Sequence, residues 1–250
     1  MSGHSKWSTI KRKKGKADQE RGRLFTKLIR ELVVSAREGG GDPDSNPRLR
    51  TAVDNARGSN MPAANIDKAI KRGTGELPGV TYEAVNYEGY GPQGVAIMVE
   101  VLTDNKNRTT AEIRHILTKH GGNMGEVGCV SWMFHQKGLV VVEKSKTTED
   151  DLMVAALDAG AEDVRDEGDF FEVVTGPTGL EKVKEALRKI GLEFTSAGLT
   201  REPQTTIMLE GKHAEQILRV MDALEDNDDV QKVYSNFDVP DDVMDKLGKE

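Results

Sequence analysis

The sequence predicts an α+β multidomain protein: an N-terminal three-helix domain followed by two ferredoxin-like α/β domains, the last inserted into the middle one. Three observations carry this expectation. Apolar residues recur at helical spacing from Leu24 to Ile70, the period then shortens to strand alternation, and residues 138–200 hold a complete β-α-β-β-α-β series of their own. The expected boundaries are 1–80 for a basic arm and three helices, 81–137 plus 203–240 for a discontinuous α/β domain, 138–202 for the inserted domain, and 241–250 for a tail.

The first helix aligns Leu24, Phe25, Leu28, Ile29, Leu32, Val33 and Ala36, puts Arg23, Lys27, Arg30 and Arg37 opposite, and stops at Gly39-Gly40-Gly41. The second is capped by Asn46, has Pro47 in its first turn, turns Leu49, Ala52, Val53 and Ala56 inward and stops at Gly58. The third runs from about Pro62 to Arg72 with Ile66, Ala69 and Ile70 inward. Short amphipathic helices of this kind bury their apolar faces against each other. Strands Tyr82–Glu88 and Val95–Leu102 flank Gly89-Tyr90-Gly91-Pro92-Gln93-Gly94, a formal GxGxxG. A dinucleotide site needs a helix after the glycines; a strand follows here, so the segment reads as a hairpin connection. A helix over Arg108–His120 and a strand over Val127–Phe134 come next. The inserted series has strands near 139–143, 162–166, 170–175 and 192–197, with helices over Glu149–Ala159, capped by Thr148, and Gly179–Ile190, with Leu180, Val183, Leu187 and Ile190 inward. Strand Thr205–Leu209, helix His213–Leu224 and strand Val230–Ser235 complete the discontinuous domain.

Composition narrows the function classes. The longest apolar runs, such as Val95–Val99, fall far short of the ~20 residues that span a bilayer, and the basic N-terminus lacks the apolar stretch of a secretory signal. A soluble, cytoplasmic chain without membrane contact is expected. One cysteine, Cys129, permits no internal disulfide and no thiolate zinc cage. His4, His115, His120, His135 and His213 form no metal-binding motif, and Glu225-Asp226-Asn227-Asp228-Asp229 lacks the Gly and Glu of a calcium loop, so it reads as a solvated turn. No enzyme, metal or cofactor is expected.

Charge is the informative feature. The net charge is −7, yet residues 1–80 carry 17 Lys and Arg against 9 Asp and Glu, while residues 81–250 carry 18 against 33. In the arm and first helix, Lys6, Lys11, Arg12, Lys13, Lys14, Lys16, Arg21, Arg23, Lys27 and Arg30 face only Asp18 and Glu20. A solubilising surface interleaves both signs, whereas this excess repels itself unless a polyanion neutralises it. Trp7, inside the run, either stacks on an unpaired base or anchors the arm. A second contact is expected where Thr103–Thr109 enters a helix. Asp104, Asn105 or Asn107 serves as its cap, and Lys106 and Arg108 oppose the helix dipole but suit a phosphate. The third helix adds Asn65, Lys68, Lys71 and Arg72; the three cations suit phosphates, and only Asn65 resembles an adenine reader, so no convincing base-reading device is expected. The expected nucleic-acid-binding set is Lys6, Trp7, Lys11, Arg12, Lys13, Lys14, Lys16, Arg23, Lys27, Arg30, Lys106 and Arg108.

The segments GHSKWSTIKRKKG, NPRLRTAVDNARGSNMP, YEGYGPQGVAIMVE, LTDNKNRT, RHILTKHGGNMGEVGCVSWMF and ALEDNDDVQKVYSNFD resemble the YebC/PmpR family over nearly the whole chain. The resemblance implies three domains, the first helical and the other two α/β, and a cytoplasmic, DNA-binding transcriptional regulator. It equally implies relatives that act in translation: a mitochondrial activator of a cytochrome oxidase subunit, and ribosome-associated factors that relieve stalling. From the family only the basic arm, Lys6 through Lys16, carries over as the nucleic-acid contact. The partner is therefore DNA or structured RNA, with the ribosome among the alternatives. In another reading the acidic body is a protein-interaction module.

Overall fold

The computed structural model describes residues 18–240, the side chains of 18–20 excepted. The chain is α+β. Among the described residues its helices are α1 (Asp18–Gly39), α2 (Pro47–Gly58), α3 (Ala63–Gly73), α4 (Lys106–Lys119), α5 (Glu149–Asp158), α6 (Leu180–Lys189) and α7 (Gly211–Glu225). The strands are β1 (Glu83–Tyr90), β2 (Ala96–Thr103), β3 (Asn123–Met124), β4 (Phe134–Glu143), β5 (Ala161–Glu167), β6 (Phe170–Thr175), β7 (Ser196–Pro203), β8 (Ile207–Met208), β9 (Val230–Ser235) and β10 (Phe237–Asp238). They gather into two compact units, one of residues 18–30, 80–135 and 202–240, the other of residues 31–79 and 136–201. Helix α1 supplies its first part to one and its last turns to the other. No described helix is long and apolar enough to cross a membrane.

In the first unit the sheet order is β3-β1-β2-β9, so the β1–β2 hairpin occupies the centre. Its register runs from Glu83 opposite Thr103 to Tyr90 opposite Ala96. The turn between them holds Gln93 and Gly94 at positive φ, as the hairpin reading of the glycine-rich segment requires. Strand β2 explains its own uninterrupted apolar run. Val95, Ile97, Val99 and Val101 pack with Ile113 and Leu117 of α4 and Ile217, Met221 and Leu224 of α7, while Ala96 and Met98 pack on the opposite face with Val130, Phe134 and Tyr234. A strand covered on both sides loses the alternation of a half-exposed one. Strands β8 and β10 form a short parallel pair.

The expected strand over Val127–Phe134 does not form; β4 begins at Phe134, and Ser131–Met133 is a single 3-10 turn. The cause is Glu88. Its carboxylate, on a side chain only 4% exposed, accepts the backbone N–H groups of Gly128 (2.8 Å), Val130 (2.7 Å) and Ser131 (2.8 Å), donors that a strand would commit to a ladder.

In the second unit the order β5-β6-β4-β7 reproduces the ferredoxin-like arrangement of a β-α-β-β-α-β series. Val140, Val142, Phe171 and Val173 of the sheet bury against Leu152 and Ala156 of α5 and Val183 and Leu187 of α6. Strand β7 starts at Ser196, later than its sequence indicates, although Thr195 N–H still reaches the Val141 carbonyl at 2.8 Å. Ile190, expected inward, is 57% exposed because α6 ends at Lys189. An inward place goes instead to Lys184, which donates to Thr51 Oγ1 (2.8 Å) and pairs with Glu181 (2.7 Å) and Asp54 (3.3 Å). In the same unit α2 starts as expected: Asn46 Oδ1 accepts Leu49 N–H, and its amide donates to the Ser35 and Gly40 carbonyls. At Gly58 a Cβ would lie 2.4 Å from the Thr195 carbonyl oxygen, so only glycine admits this approach.

Candidate nucleic-acid interface

Lys6, Trp7, Lys11, Arg12, Lys13, Lys14 and Lys16 lie outside the described residues. The first of the described cations belong to α1, where Arg23, Lys27 and Arg30 fall on one side at helical spacing. That side runs along the acidic turn after α7. Arg23 pairs with Asp226 at 2.9 Å, Lys27 Nζ donates to the Glu225 carbonyl at 2.6 Å, and Arg30 Nη1 reaches Asp229 Oδ1 and the Asp228 carbonyl, each at 2.6 Å. The Arg30 guanidinium also sits over the Tyr82 ring, 5.3 Å from its centroid.

The turn is therefore not the solvated segment its composition indicates. Asp229 is 3% exposed, and its second oxygen accepts from Thr103 Oγ1 (3.0 Å), Arg108 Nη2 (2.7 Å) and Thr109 Oγ1. Burial on its own would raise this carboxyl; the hydrogen bonds from Thr109, Arg108, Arg30 and Thr103 outweigh it and bring it down to about 2. Arg108 lies between Asp229 and Asp104 (2.8 Å), and both bonds raise its guanidinium above the ordinary value. Thus the dipole penalty of a cation in the first turn of α4 is offset by two carboxylates. Asn105, one of three expected candidates, caps that helix by accepting Arg108 N–H. Lys106 is exposed and makes no ion pair with the described residues.

The structure thus brings Arg23, Lys27, Arg30 and Arg108 together around the turn after α7, the three arginines on carboxylates and Lys27 on a backbone carbonyl. Free cations lie elsewhere, on α3. Ile66 and Ala69 face inward, while Asn65, Lys68, Lys71 and Arg72 are exposed, and none of those cations pairs with a described carboxylate. Asp67 is the only acidic residue of the helix. The sequence displays these cations plainly, yet its net charge excess points at the arm and α1 rather than at α3.

A further exposed feature escaped the sequence altogether. Trp132 is 67% exposed, because the Glu88 clamp turns its segment out of a strand. Cys129, in the same loop, has its thiol pushed up by burial and by the neighbouring Glu88 charge, which makes it a poor nucleophile. Among the described residues no group of three His, Cys, Asp or Glu side chains is placed to hold a metal ion.

Two family models match this chain: residues 5–76 fit the TACO1/YebC protein N-terminal domain, and residues 82–237 fit the TACO1/YebC second and third domain. Among curated relatives, a probable transcriptional regulatory protein of Desulforapulum autotrophicum is 60% identical over 247 residues, covering 99% of this chain and all (100%) of that one. A protein of the same description from Geobacter sulfurreducens is 59% identical with the same coverage, 99% and 100%. The crystal structure of a conserved hypothetical protein from Aquifex aeolicus superimposes with a TM-score of 0.84 at 47% identity, over 89% of this chain and 92% of that one.

Proposed function

Because the chain belongs to the TACO1/YebC family, we propose that it is a cytoplasmic, DNA-binding transcriptional regulatory protein that acts by binding rather than by catalysis. The phosphate contacts come from the arm, Lys6 through Lys16, and from Lys68, Lys71 and Arg72 on α3, with Lys106 as a further contact. The observation that carries this reading is the split among the cations: Arg23, Arg30 and Arg108 are held by carboxylates of the chain and Lys27 by the Glu225 carbonyl, whereas Lys68, Lys71 and Arg72 of α3 are open to a polyanion. The curated relatives are likewise described as probable transcriptional regulatory proteins. The acidic body shapes the complex or recruits a protein partner.

The test is binding to DNA across a salt series, followed by crosslinking in cells and sequencing of all bound nucleic acid. About four arm contacts give a slope of log K against log salt near −3.6, steeper by about 0.9 for each α3 cation that joins. A flat slope would refute phosphate binding. Promoter peaks support the transcriptional reading, and ribosomal or transfer RNA recovered at discrete positions would replace it with a ribosome-associated translation factor.

A further inference from the structure

The loop between β3 and β4 holds an aromatic side chain open to solvent on a backbone that is tied down from several sides. Trp132 is the one exposed Phe, Tyr or Trp among the described residues. Its indole N–H is already used, donating to the Cys129 carbonyl at 3.1 Å, so what remains for a partner is ring surface. The same carbonyl accepts from the Tyr90 hydroxyl at 3.1 Å. Gln204 donates twice, from its side chain to the Trp132 carbonyl (2.9 Å) and from its backbone to the Met133 carbonyl (2.8 Å). The buried Glu88 carboxylate holds Gly128, Val130 and Ser131, and Val130 and Phe134 plug the loop into the sheet face beneath it. Surface loops are ordinarily the mobile parts of a domain. Here a carboxylate has been taken out of water to fix one, with an exposed indole on its crest.

We propose that Trp132 is a stacking platform for one unpaired base of the bound nucleic acid. The inference rests on the nucleic-acid-binding reading above and adds to its phosphate contacts a base contact on a described loop. Area selects a base over a protein. Within this loop only Val127, at 89% exposure, and Trp132 are exposed large apolar side chains, a small fraction of the ~800 Å² per partner of a specific protein interface. One base needs only one ring face. The exposed Glu126 beside Val127 disfavours a close phosphate, so a base rather than the phosphate backbone suits this loop. A fully paired duplex offers no such base.

The sequence contains two tryptophans, so in the full-length Trp7→Phe variant Trp132 is the sole indole. Titrating this variant with a single-stranded oligonucleotide and with its duplex, while anisotropy of the labelled strand reports affinity, separates the outcomes. The single strand is expected to quench indole fluorescence and the duplex to leave it unchanged. Trp132→Ala is expected to weaken single-strand binding roughly 5- to 150-fold, with Trp132→Phe restoring most of it and duplex binding unaffected. Glu88→Gln, which loosens the clamp but keeps the indole, is expected to increase indole mobility and weaken single-strand binding less than Trp132→Ala. Binding without quenching, together with unchanged affinity in Trp132→Ala, would overturn the platform and leave phosphate binding intact. No binding of either nucleic acid would overturn the nucleic-acid reading first and the platform with it. A protein partner lost in Trp132→Ala while nucleic-acid affinity stays unchanged would assign the indole to a protein and overturn the proposal.

Discussion

Helices α1 and α3 each align a set of three cations at helical spacing, Arg23, Lys27 and Arg30 among the five of α1 and Lys68, Lys71 and Arg72 on α3. In α1 they meet the turn Glu225–Asp229, about two hundred residues away in the chain, and Arg30 is nearly as buried as its carboxylate partner, with 12% and 4% of the side chains exposed. In α3 they meet no described carboxylate. A basic face therefore has two opposite uses. Against a buried carboxylate it fastens a helix to its domain, and in solvent it is available to a phosphate chain.

The largest effect expected from breaking this contrast is on stability. Asp229→Ala leaves the Arg30 and Arg108 guanidiniums without their buried partner and should cost about 3 to 5 kcal/mol, read by chemical denaturation, with the salt slope of nucleic-acid binding unchanged. A change below about 1 kcal/mol would show that the latch is solvated after all.

Acid should close the same gap. The Asp229 carboxyl is lowered from 3.8 to about 2 in the folded state, so its contribution is full above the unfolded value and is lost as pH falls through the folded one. The stability difference between the wild type and Asp229→Ala is expected to be constant near neutrality and to shrink between about pH 4 and pH 2. A difference independent of pH down to the acid transition would assign the loss to packing instead.

The converse variant, Lys68→Glu with Lys71→Glu, removes free cations. It should flatten the salt slope by about 1.8 and lower nucleic-acid affinity at low salt at least tenfold, while stability stays within about 0.5 kcal/mol. Unchanged binding would make α3 a solvated face. Smallest of all is Arg23→Ala, whose pair with Asp226 is half exposed; a loss of about 0.2 to 1 kcal/mol is expected in denaturant, and it should disappear in high salt.

Where an element depends on neighbours a few residues away, it was legible in the sequence. Asn46 and Asn105 cap their helices, Thr148 accepts Asp151 N–H at the start of α5, and β6 spans Phe170–Thr175 as expected. The hairpin around Gly89–Gly94 and the β-α-β-β-α-β series follow from the same short-range signals of period, cap and turn. These interactions close within one turn of helix or one strand, so the order of the letters suffices to specify them.

Tertiary structure alone decided three things: that Val127–Met133 leaves the strand pattern and presents Trp132, that Lys184 turns inward, and that the α1 cations are occupied. Each depends on a charge meeting a group far along the chain, Glu88 with Val130, Lys184 with Asp54 and Arg30 with Asp229. Local periodicity carries no record of such meetings, because a charged residue has the same pattern value whether water or a buried counter-ion solvates it. Only the fold fixes the distance and the dielectric between the two charges, and these determine whether a cation is available to a ligand.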